Sequence, residues 1–188
     1  RIEEGAFAYC VNLEETNIPS SLQYLGTYAF SDCVSLKTDP LVFPEGFEQF
    51  GNLAFMNCRS LTGTIVLPST IKEIGDGVFF MSKISSINLP DGLEKIGDAA
   101  FYACRLKEVW IPNSCQTIAG TNTFQQNYPL KKIHLPEGLG RIPSCFANDC
   151  WDLQEVNIPS TVKSIDRAAF EQCKSLKKIN LPNGLETI

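Results

Sequence analysis

The sequence predicts a repeat solenoid of about eight units, and two observations carry the prediction. One phrase, Leu-x-x-Ile-x-Leu-Pro-x-x-Leu-x-x-Ile-Gly-x-x-Ala-Phe-x-x-Cys, recurs along all 188 residues. Its prolines recur every 22 to 25 residues, at Pro19, Pro44, Pro68, Pro90, Pro112, Pro136, Pro159 and Pro182. A period of this length is typical of a solenoid, in which each unit buries its apolar face only against its neighbours. We therefore treat residues 1–188 as a single elongated domain.

The Leu-x-x-Ile-x-Leu-Pro part of the phrase predicts a short strand with one buried face. In residues 106–112, Val109 and Ile111 alternate with outward positions, which is the period of a β-strand. Stacked coils would place such strands side by side and in parallel, about 4.8 Å apart. Proline ends each strand because it has no N–H to give to the neighbouring strand.

The Ala-Phe-x-x-Cys part predicts the opposite wall of the solenoid as a short helical or 3₁₀ turn. One phenylalanine per copy falls at the same place in this turn. We expect these rings to stack in one column as the spine of the core: Phe7, Phe30, Phe55, Phe79, Phe101, Phe124, Phe146 and Phe170.

The eight cysteines lie at positions of the phrase where we expect small or medium-sized buried apolar residues. This placement favours reduced thiols in the core. Five follow the phenylalanine by three residues and Cys150 by four. Cys145 takes the place of the alanine before phenylalanine, and Cys115 that of a leucine. Disulfides between neighbouring coils are the alternative, with Cys145 and Cys150 the first pair to examine. No Cys-x-x-Cys occurs, so we predict no metal site and no cofactor.

The repeated phrase resembles the BspA-like leucine-rich repeat family of bacterial and mucosal surface proteins. The resemblance covers the whole chain, with departures near residues 78–84, 113–130 and 140–151. It implies an α/β-type, right-handed curved array with a parallel sheet on its concave face and short helical or 3₁₀ turns opposite. It also implies an extracellular or cell-surface protein of adhesion or recognition, and it brings no catalytic residues with it.

The two ends of the chain fall at the same place in the repeat. Ile2 and Ile188 both correspond to the isoleucine of Ile-Gly, and no polar capping repeat lies beyond either residue. Natural arrays shield their terminal core faces with such caps. We expect the chain to be a fragment of a longer array, with any secretion signal or anchor outside it.

Charge and motif content argue against several functional classes. The net charge of −5 disfavours a nucleic-acid partner, which calls for a basic stripe. No apolar run is long enough to insert in a membrane. The single histidine, His134, has no accompanying nucleophile pattern, and the nucleotide-binding, hydrolase and zinc-protease motifs are missing. We therefore predict that the chain is not an enzyme.

Candidate binding residues lie where the copies of the phrase disagree. The outward place between the two buried strand residues is most often asparagine, but we single out Val66, Trp110 and His134 there. Trp110 and His134 fall on adjacent coils, and tryptophan is enriched at binding surfaces. The alternative is that Trp110 lies flat over its neighbours as ordinary cover.

A second aromatic pair, Tyr128 and Trp151, lies two residues before the repeat leucine on adjacent coils. These rings could bind a sugar ring or a partner loop, or could stack on each other as a local core. Elsewhere on the predicted strands, acidic and basic residues alternate, which predicts a ladder of exposed ion pairs: Glu108, Lys132, Glu155 and Lys178.

Two functions are compatible with these features. The first is a non-enzymatic binding module that presents a concave surface to an unidentified protein or glycan ligand, with Trp110, His134, Tyr128, Trp151 and Val66 as the candidate binding residues. The second is a structural spacer that displays another domain and has no ligand of its own. The off-pattern aromatic residues favour the first function.

Overall fold

Two parallel walls of short strands run along a right-handed solenoid in the computed structural model, which describes residues 1–188. The first wall comprises Leu41–Val42 (β2), Thr64–Val66 (β4), Ser86–Ile87 (β6), Glu108–Trp110 (β8), Lys132–His134 (β10) and Glu155–Asn157 (β12). The second wall comprises Tyr24–Leu25 (β1), Gln49–Phe50 (β3), Glu73–Ile74 (β5), Lys95–Ile96 (β7), Thr117–Ile118 (β9), Arg141–Ile142 (β11) and Ser164–Ile165 (β13).

Equivalent residues of successive coils lie side by side because the strands pair in register. In the first wall, Ile133 pairs with both Val109 and Val156. In the second wall, Ile96 pairs with Ile118 in the same way. All of these side chains are buried, so the inward positions of both walls contribute to one continuous core.

The wall that carries the phenylalanines is not helical, and the expected helical or 3₁₀ turns are wrong. The N–H of Phe79 donates to the Ala100 carbonyl of the next coil at 2.9 Å, whereas the N–H of Phe80 donates back three residues to Gly77 at 2.9 Å. A helix needs every N–H to bond within its own segment. Here alternate N–H groups bond to carbonyls of the next coil. This segment is therefore a third wall, built of turns instead of a helix.

Two residues per coil hold left-handed backbone conformations in this third wall. Ala99 (φ 49°) and Ala103 (φ 53°) flank Phe101, and the same spacing recurs at Asn122 (φ 58°) and Gln126 (φ 61°). This conformation costs a residue other than glycine roughly 1–2 kcal/mol. It also turns alternate N–H groups toward the next coil, and each resulting hydrogen bond contributes about 0.5–1.5 kcal/mol in return.

The column of eight phenylalanines is present as predicted. Successive ring centroids lie 5.0 to 6.2 Å apart from one end of the chain to the other. From Phe7 to Phe124 each ring stacks within 14° of its neighbour. The interior rings are fully buried, whereas Phe7 in the first coil is 41% exposed.

Phe146 joins the column from a different backbone position. The N–H of Phe124 donates to the carbonyl of Phe146, although the equivalent bond from Phe101 goes to Thr123, the residue before a column phenylalanine. The backbone of Ala147 therefore occupies the usual phenylalanine place. The Phe146 ring enters one residue early and meets Phe124 edge-on, at 83°.

This one-residue shift changes the interpretation of two cysteines. Cys145 does not replace the alanine before phenylalanine, because Phe146 has taken that place; it lies at the left-handed corner instead, with φ 53°. Cys150 then follows the column position, occupied by Ala147, by three residues like the other cysteines.

The place three residues after the column position requires a hydrogen-bond donor as well as a small side chain. The Cys104 thiol donates to the Phe79 carbonyl of the previous coil, with an S···O distance of 3.1 Å. Ser82 and Asn127 take the same place and donate to the equivalent carbonyls. Four further thiols make the same bond: Cys33, Cys58, Cys150 and Cys173. We call this place the donor position.

Burial keeps these thiols protonated. It raises the pKa of the Cys104 thiol far above its ordinary value and raises the pKa of Cys33 and of Cys173 to about 11. Each thiol therefore retains its S–H donor at neutral pH.

All eight cysteines are free thiols, and Cys145 and Cys150 form no disulfide. The expectation that every cysteine is buried in the core is wrong for three of them. Cys10 is exposed because it belongs to the first coil, and Cys145 and Cys173 are partly exposed.

The expected count of eight repeats is also too high, because the first wall has six strands. The copy at residues 13–19 forms no strand, and the last copy contributes to this wall only an isolated bridge between Asn157 and Asn180. The terminal copies have a neighbouring coil on one side alone, so fewer ladder hydrogen bonds hold their backbone in strand geometry. The chain forms about six turns of solenoid.

Substitution of Cys104 by serine and by valine distinguishes a donor position from a merely apolar one. Cys104→Ser keeps a donor for the Phe79 carbonyl, and we expect its free energy of unfolding to stay within about 1 kcal/mol of the unsubstituted protein. Cys104→Val keeps an apolar side chain but removes the donor, and we expect a loss of about 1–2 kcal/mol. Urea denaturation followed by circular dichroism measures both values. A valine variant at least as stable as the serine variant would contradict the donor role.

Candidate functional site

Trp110 and His134 form one stacked pair on the outer face of the first wall. Strands β8 and β10 place them opposite each other in register. Their ring centroids lie 3.3 Å apart with an interplanar angle of 8°. Trp110 therefore does lie flat over its neighbour, yet 63% of its surface stays exposed because nothing covers its outer side.

Glu108 holds the imidazole of His134 from the same wall. His134 Nε2 lies 2.9 Å from Glu108 Oε1. The expected ladder of ion pairs is therefore wrong at this point, because it paired Glu108 with Lys132. Lys132 instead pairs with Glu155, at 3.0 Å. Since Glu108 and His134 are both partly exposed, their contact orients the imidazole more than it stabilises the fold.

A shallow depression of about 370 Å³ adjoins the stacked pair. Its lining combines Trp110 and His134 with apolar residues and with the polar side chains of Asp91, Asn113 and Asn157. We call it the tryptophan depression. It lies where the first-wall strands end and the following turns begin, so coils before and after Trp110 contribute to one surface.

Tyr128 and Trp151 contact each other at the opposite edge of the first wall. Their ring centroids lie 4.5 Å apart with the planes tilted by 45°. The Trp151 indole N–H donates to Asp149 at 3.1 Å, and Lys174 Nζ lies 4.0 Å from the centre of the Trp151 ring. The rings remain 43% and 42% exposed, so they form a local contact without becoming core.

This aromatic pair lines a second depression, of about 260 Å³, which we call the edge depression. Lys83, Arg105, Gln126, Pro129 and Asp152 complete most of its lining. No lining residue is shared with the tryptophan depression.

The structure thus divides the five candidate residues among three places. Trp110 and His134 lie together, and Tyr128 and Trp151 lie together at another edge. Val66 pairs with Val42 two coils before Trp110, is half-buried and lines neither depression.

Sequence reasoning missed the polar partners of both depressions. Glu108 and His134 occupy different positions of the repeat, two residues apart. A comparison of equivalent residues between copies therefore does not pair them. Lys83 and Arg105 occupy the same repeat position, directly after the donor position. Aligning the copies on that position rather than on the leucine would have found them.

The chain has neither a cluster of metal ligands nor a membrane-spanning helix. No group of three or more His, Cys, Asp and Glu side chains is arranged to hold a metal ion. None of the chain forms a helix with the length and hydropathy that a membrane crossing requires.

A family model for the BspA type leucine rich repeat region matches residues 1–131 and 98–188, with six copies. This number equals the number of strands in the first wall. Among curated proteins, no sequence matches the chain significantly.

Solved structures of bacterial leucine-rich repeat proteins share the fold. The T. pallidum leucine-rich repeat protein is 29% identical, with a TM-score of 0.78 over 87% of this chain and 78% of that one. A Bacteroides ovatus leucine-rich repeat protein is 25% identical, with a TM-score of 0.54 over 96% of this chain. A leucine rich cell surface protein of Faecalibacterium prausnitzii is 21% identical, with a TM-score of 0.63 over 98% of this chain. The chain spans 64% and 65% of the last two proteins.

The stacking of His134 on Trp110 predicts a change in indole exposure. In a Trp151→Phe background Trp110 is the only indole, and removing the imidazole with His134→Ala should make Trp110 more accessible to acrylamide quenching. Lys132→Ala, on the same strand, is the control and should leave the quenching unchanged. The stability cost of His134→Ala should stay below about 1 kcal/mol, because the contact with Glu108 is partly exposed. Equal quenching in the two variants would contradict the stacked geometry.

Proposed function

The chain belongs to the BspA-type leucine-rich repeat family, and from that premise we propose that it is a non-enzymatic binding module. In this proposal the first wall is the concave surface of a curved array and presents the tryptophan depression to a protein or glycan ligand. The observation that carries the proposal is the exposed face of Trp110, which stacks on His134 beside a depression of about 370 Å³.

The Trp110 ring is held in place before any ligand arrives. Its inner face rests on His134, and His134 is fixed in turn by Glu108. A tryptophan that is already ordered loses little conformational freedom on binding, so more of its contact energy contributes to affinity. Tryptophan is also among the residues that contribute most to binding at interfaces.

Polar groups around the ring are suited to hydroxyl and peptide partners. Asp91 and Asn157 are exposed and their side chains make no hydrogen bond within the chain, so both can bond a ligand. The Asn113 side-chain oxygen already accepts the Glu137 N–H at 3.0 Å, which leaves its amide nitrogen available. An apolar ring flanked by a few polar groups is the usual composition of a recognition site.

The surroundings of His134 support a binding role over catalysis. Its imidazole contacts an indole on one face and a carboxylate at Nε2, and the polar contact that it makes is the one with Glu108. A nucleophile activated by histidine would require a hydroxyl or thiol within hydrogen-bond reach.

We further propose that the protein works outside the cell or at the cell surface. The family resemblance supports this placement, and the F. prausnitzii protein of similar fold is itself described as a cell surface protein. At such a location the array would meet proteins and glycans of other cells or of a host.

Binding to glycan microarrays and to purified extracellular-matrix proteins tests the proposal. For a protein or an uncharged glycan found in this way, we expect Trp110→Ala to weaken the affinity at least about tenfold, which corresponds to loss of an interface hot spot. Asn180→Ala, at the same strand position in the last coil, is the matched control and should change the affinity less than about twofold, as a surface site outside the contact does.

Two results would count against this function. If Trp110→Ala and Asn180→Ala bind an identified ligand equally well, Trp110 is not part of the recognition surface. If no glycan or matrix protein binds at all, the alternative of a structural spacer without its own ligand is favoured.

A further inference from the structure

One side-chain column runs along the edge of the first wall, directly after the donor position. Its last six members lie on six successive coils and are four cations and two aromatic residues. We call them the edge row: Arg59, Lys83, Arg105, Tyr128, Trp151 and Lys174. At about 4.8 Å per coil, the row is about 24 Å long.

The contacts show that the edge row is one continuous surface. Lys83, Arg105, Tyr128 and Trp151 line the same edge depression. Lys174 lies over the Trp151 ring at 4.0 Å, which extends the surface by one coil at that end.

Arg59 extends the row at the other end. Arg59 and Arg105 are both close enough to Lys83 to act on its charge. Arg59, Arg105 and Lys174 are exposed and Lys83 is half-buried, so a ligand can reach every cation of the row.

The four cations of the row form no ion pair. The eight salt bridges of the chain all involve other residues. Arg59 donates to the Asn57 side-chain oxygen at 2.7 Å and Lys83 to the Ala103 carbonyl at 3.0 Å, so both contacts are with neutral groups.

The row keeps a positive balance after its nearest acids are counted. Asp152 lines the edge depression, and Asp149 accepts the Trp151 indole N–H. Asp32 accepts a hydrogen bond from Asn57, the partner of Arg59. Four cations against these three carboxylates leave a local charge of +1, in a chain whose net charge is −5. A positive stretch on an otherwise acidic protein favours the approach of an anionic partner to that stretch.

The state of Lys83 agrees with this imbalance. Burial lowers the pKa of its ammonium group, and repulsion from Arg105 and Arg59 lowers it further. A bound anion would offset both effects.

We propose that the edge row binds a linear anionic polysaccharide, whose sugar backbone carries sulfate or carboxylate groups. This inference specifies the ligand class for one part of the binding module and therefore rests on the proposed function. The guanidinium groups of Arg59 and Arg105 can each bond two oxygens of such an anion in a planar arrangement. The aromatic faces carry negative quadrupole charge and attract the C–H groups of a sugar ring.

The order of residues favours a polysaccharide over a nucleic acid. Proteins that bind single-stranded nucleic acid pair a basic groove with aromatic platforms beside it, since every nucleotide has a phosphate on one side and a base on the other. In the edge row, cations and aromatic rings follow each other along a single line. In an acidic polysaccharide, the rings form the backbone and bear the anions, so one line of side chains can contact both.

Affinity measurements with defined polymers test the inference. The probes are heparin (sulfated), polygalacturonate (carboxylated), dextran (neutral) and an oligothymidylate, each titrated at several salt concentrations. The row variant combines Arg59→Gln, Lys83→Gln and Arg105→Gln. The matched control combines Lys72→Gln, Lys95→Gln and Lys163→Gln, which lie in β7 or directly before β5 and β13. It removes the same number of charges, three.

We expect heparin or polygalacturonate to bind and dextran not to bind. The row variant should lose about tenfold in affinity, the sum expected for three exposed charge contacts, whereas the control should lose less than about threefold. The salt dependence of the row variant should be shallower by roughly two to three ions released. Thermal unfolding verifies that both variants are folded.

Fluorescence provides an independent readout from Trp151. In a Trp110→Phe protein Trp151 is the only indole, so saturation with the anionic polymer should change its emission and follow the same binding curve.

Three results would overturn the inference: no binding of either acidic polysaccharide, equal losses in the row variant and the control, or an oligothymidylate that binds through the row as tightly as heparin does. Loss of affinity in Trp110→Ala alone would support the proposed binding function and reject the edge row, so the two ideas can fail separately.

Discussion

The structure depends on hydrogen bonds between the backbones of successive coils. They run through all three walls: as strand ladders in two of them, and as alternate N–H groups of the turns in the third. In-register bonding of this kind places equivalent residues about 4.8 Å apart, in columns along the solenoid. Each position of the repeat therefore becomes a row of side chains. In the interior coils, the direction in which a position points decides whether its row is core or surface, whereas inward residues of the first coil such as Phe7 and Cys10 remain exposed.

The inward rows explain why the same residues recur in successive copies of the phrase. Phenylalanine rings fill the core, and the donor position ties each coil to a carbonyl of the coil before it. Cysteine, serine and asparagine are interchangeable there because all three can donate. The backbone bonding also tolerates local error: in the coil of Phe146 the column position moves to Ala147, and the ring fills the same space edge-on.

Aligning the copies of the phrase was enough to predict the strands of the first wall, the phenylalanine column and the exposure of Trp110, but not the strands of the second wall. It could not predict the third wall. Whether such a turn is helical depends on whether its N–H groups bond to carbonyls of the same turn or to carbonyls of the next coil. It could not pair Glu108 with His134, which are diagonal neighbours on adjacent strands. It also assigned Trp110 and Trp151 to one site. The two residues are close in sequence, but they lie at opposite edges of the first wall.

The most direct test of this account is an NMR measurement of scalar coupling across a hydrogen bond in the third wall. We predict a coupling between the amide nitrogen of Phe79 and the carbonyl carbon of Ala100 in the next coil, which are joined by a hydrogen bond of 2.9 Å. A coupling from Phe79 to the carbonyl carbon of Gly75, four residues earlier, would show a helical turn. That result would contradict the cross-coil bonding from which the columns, and both proposed binding surfaces, derive.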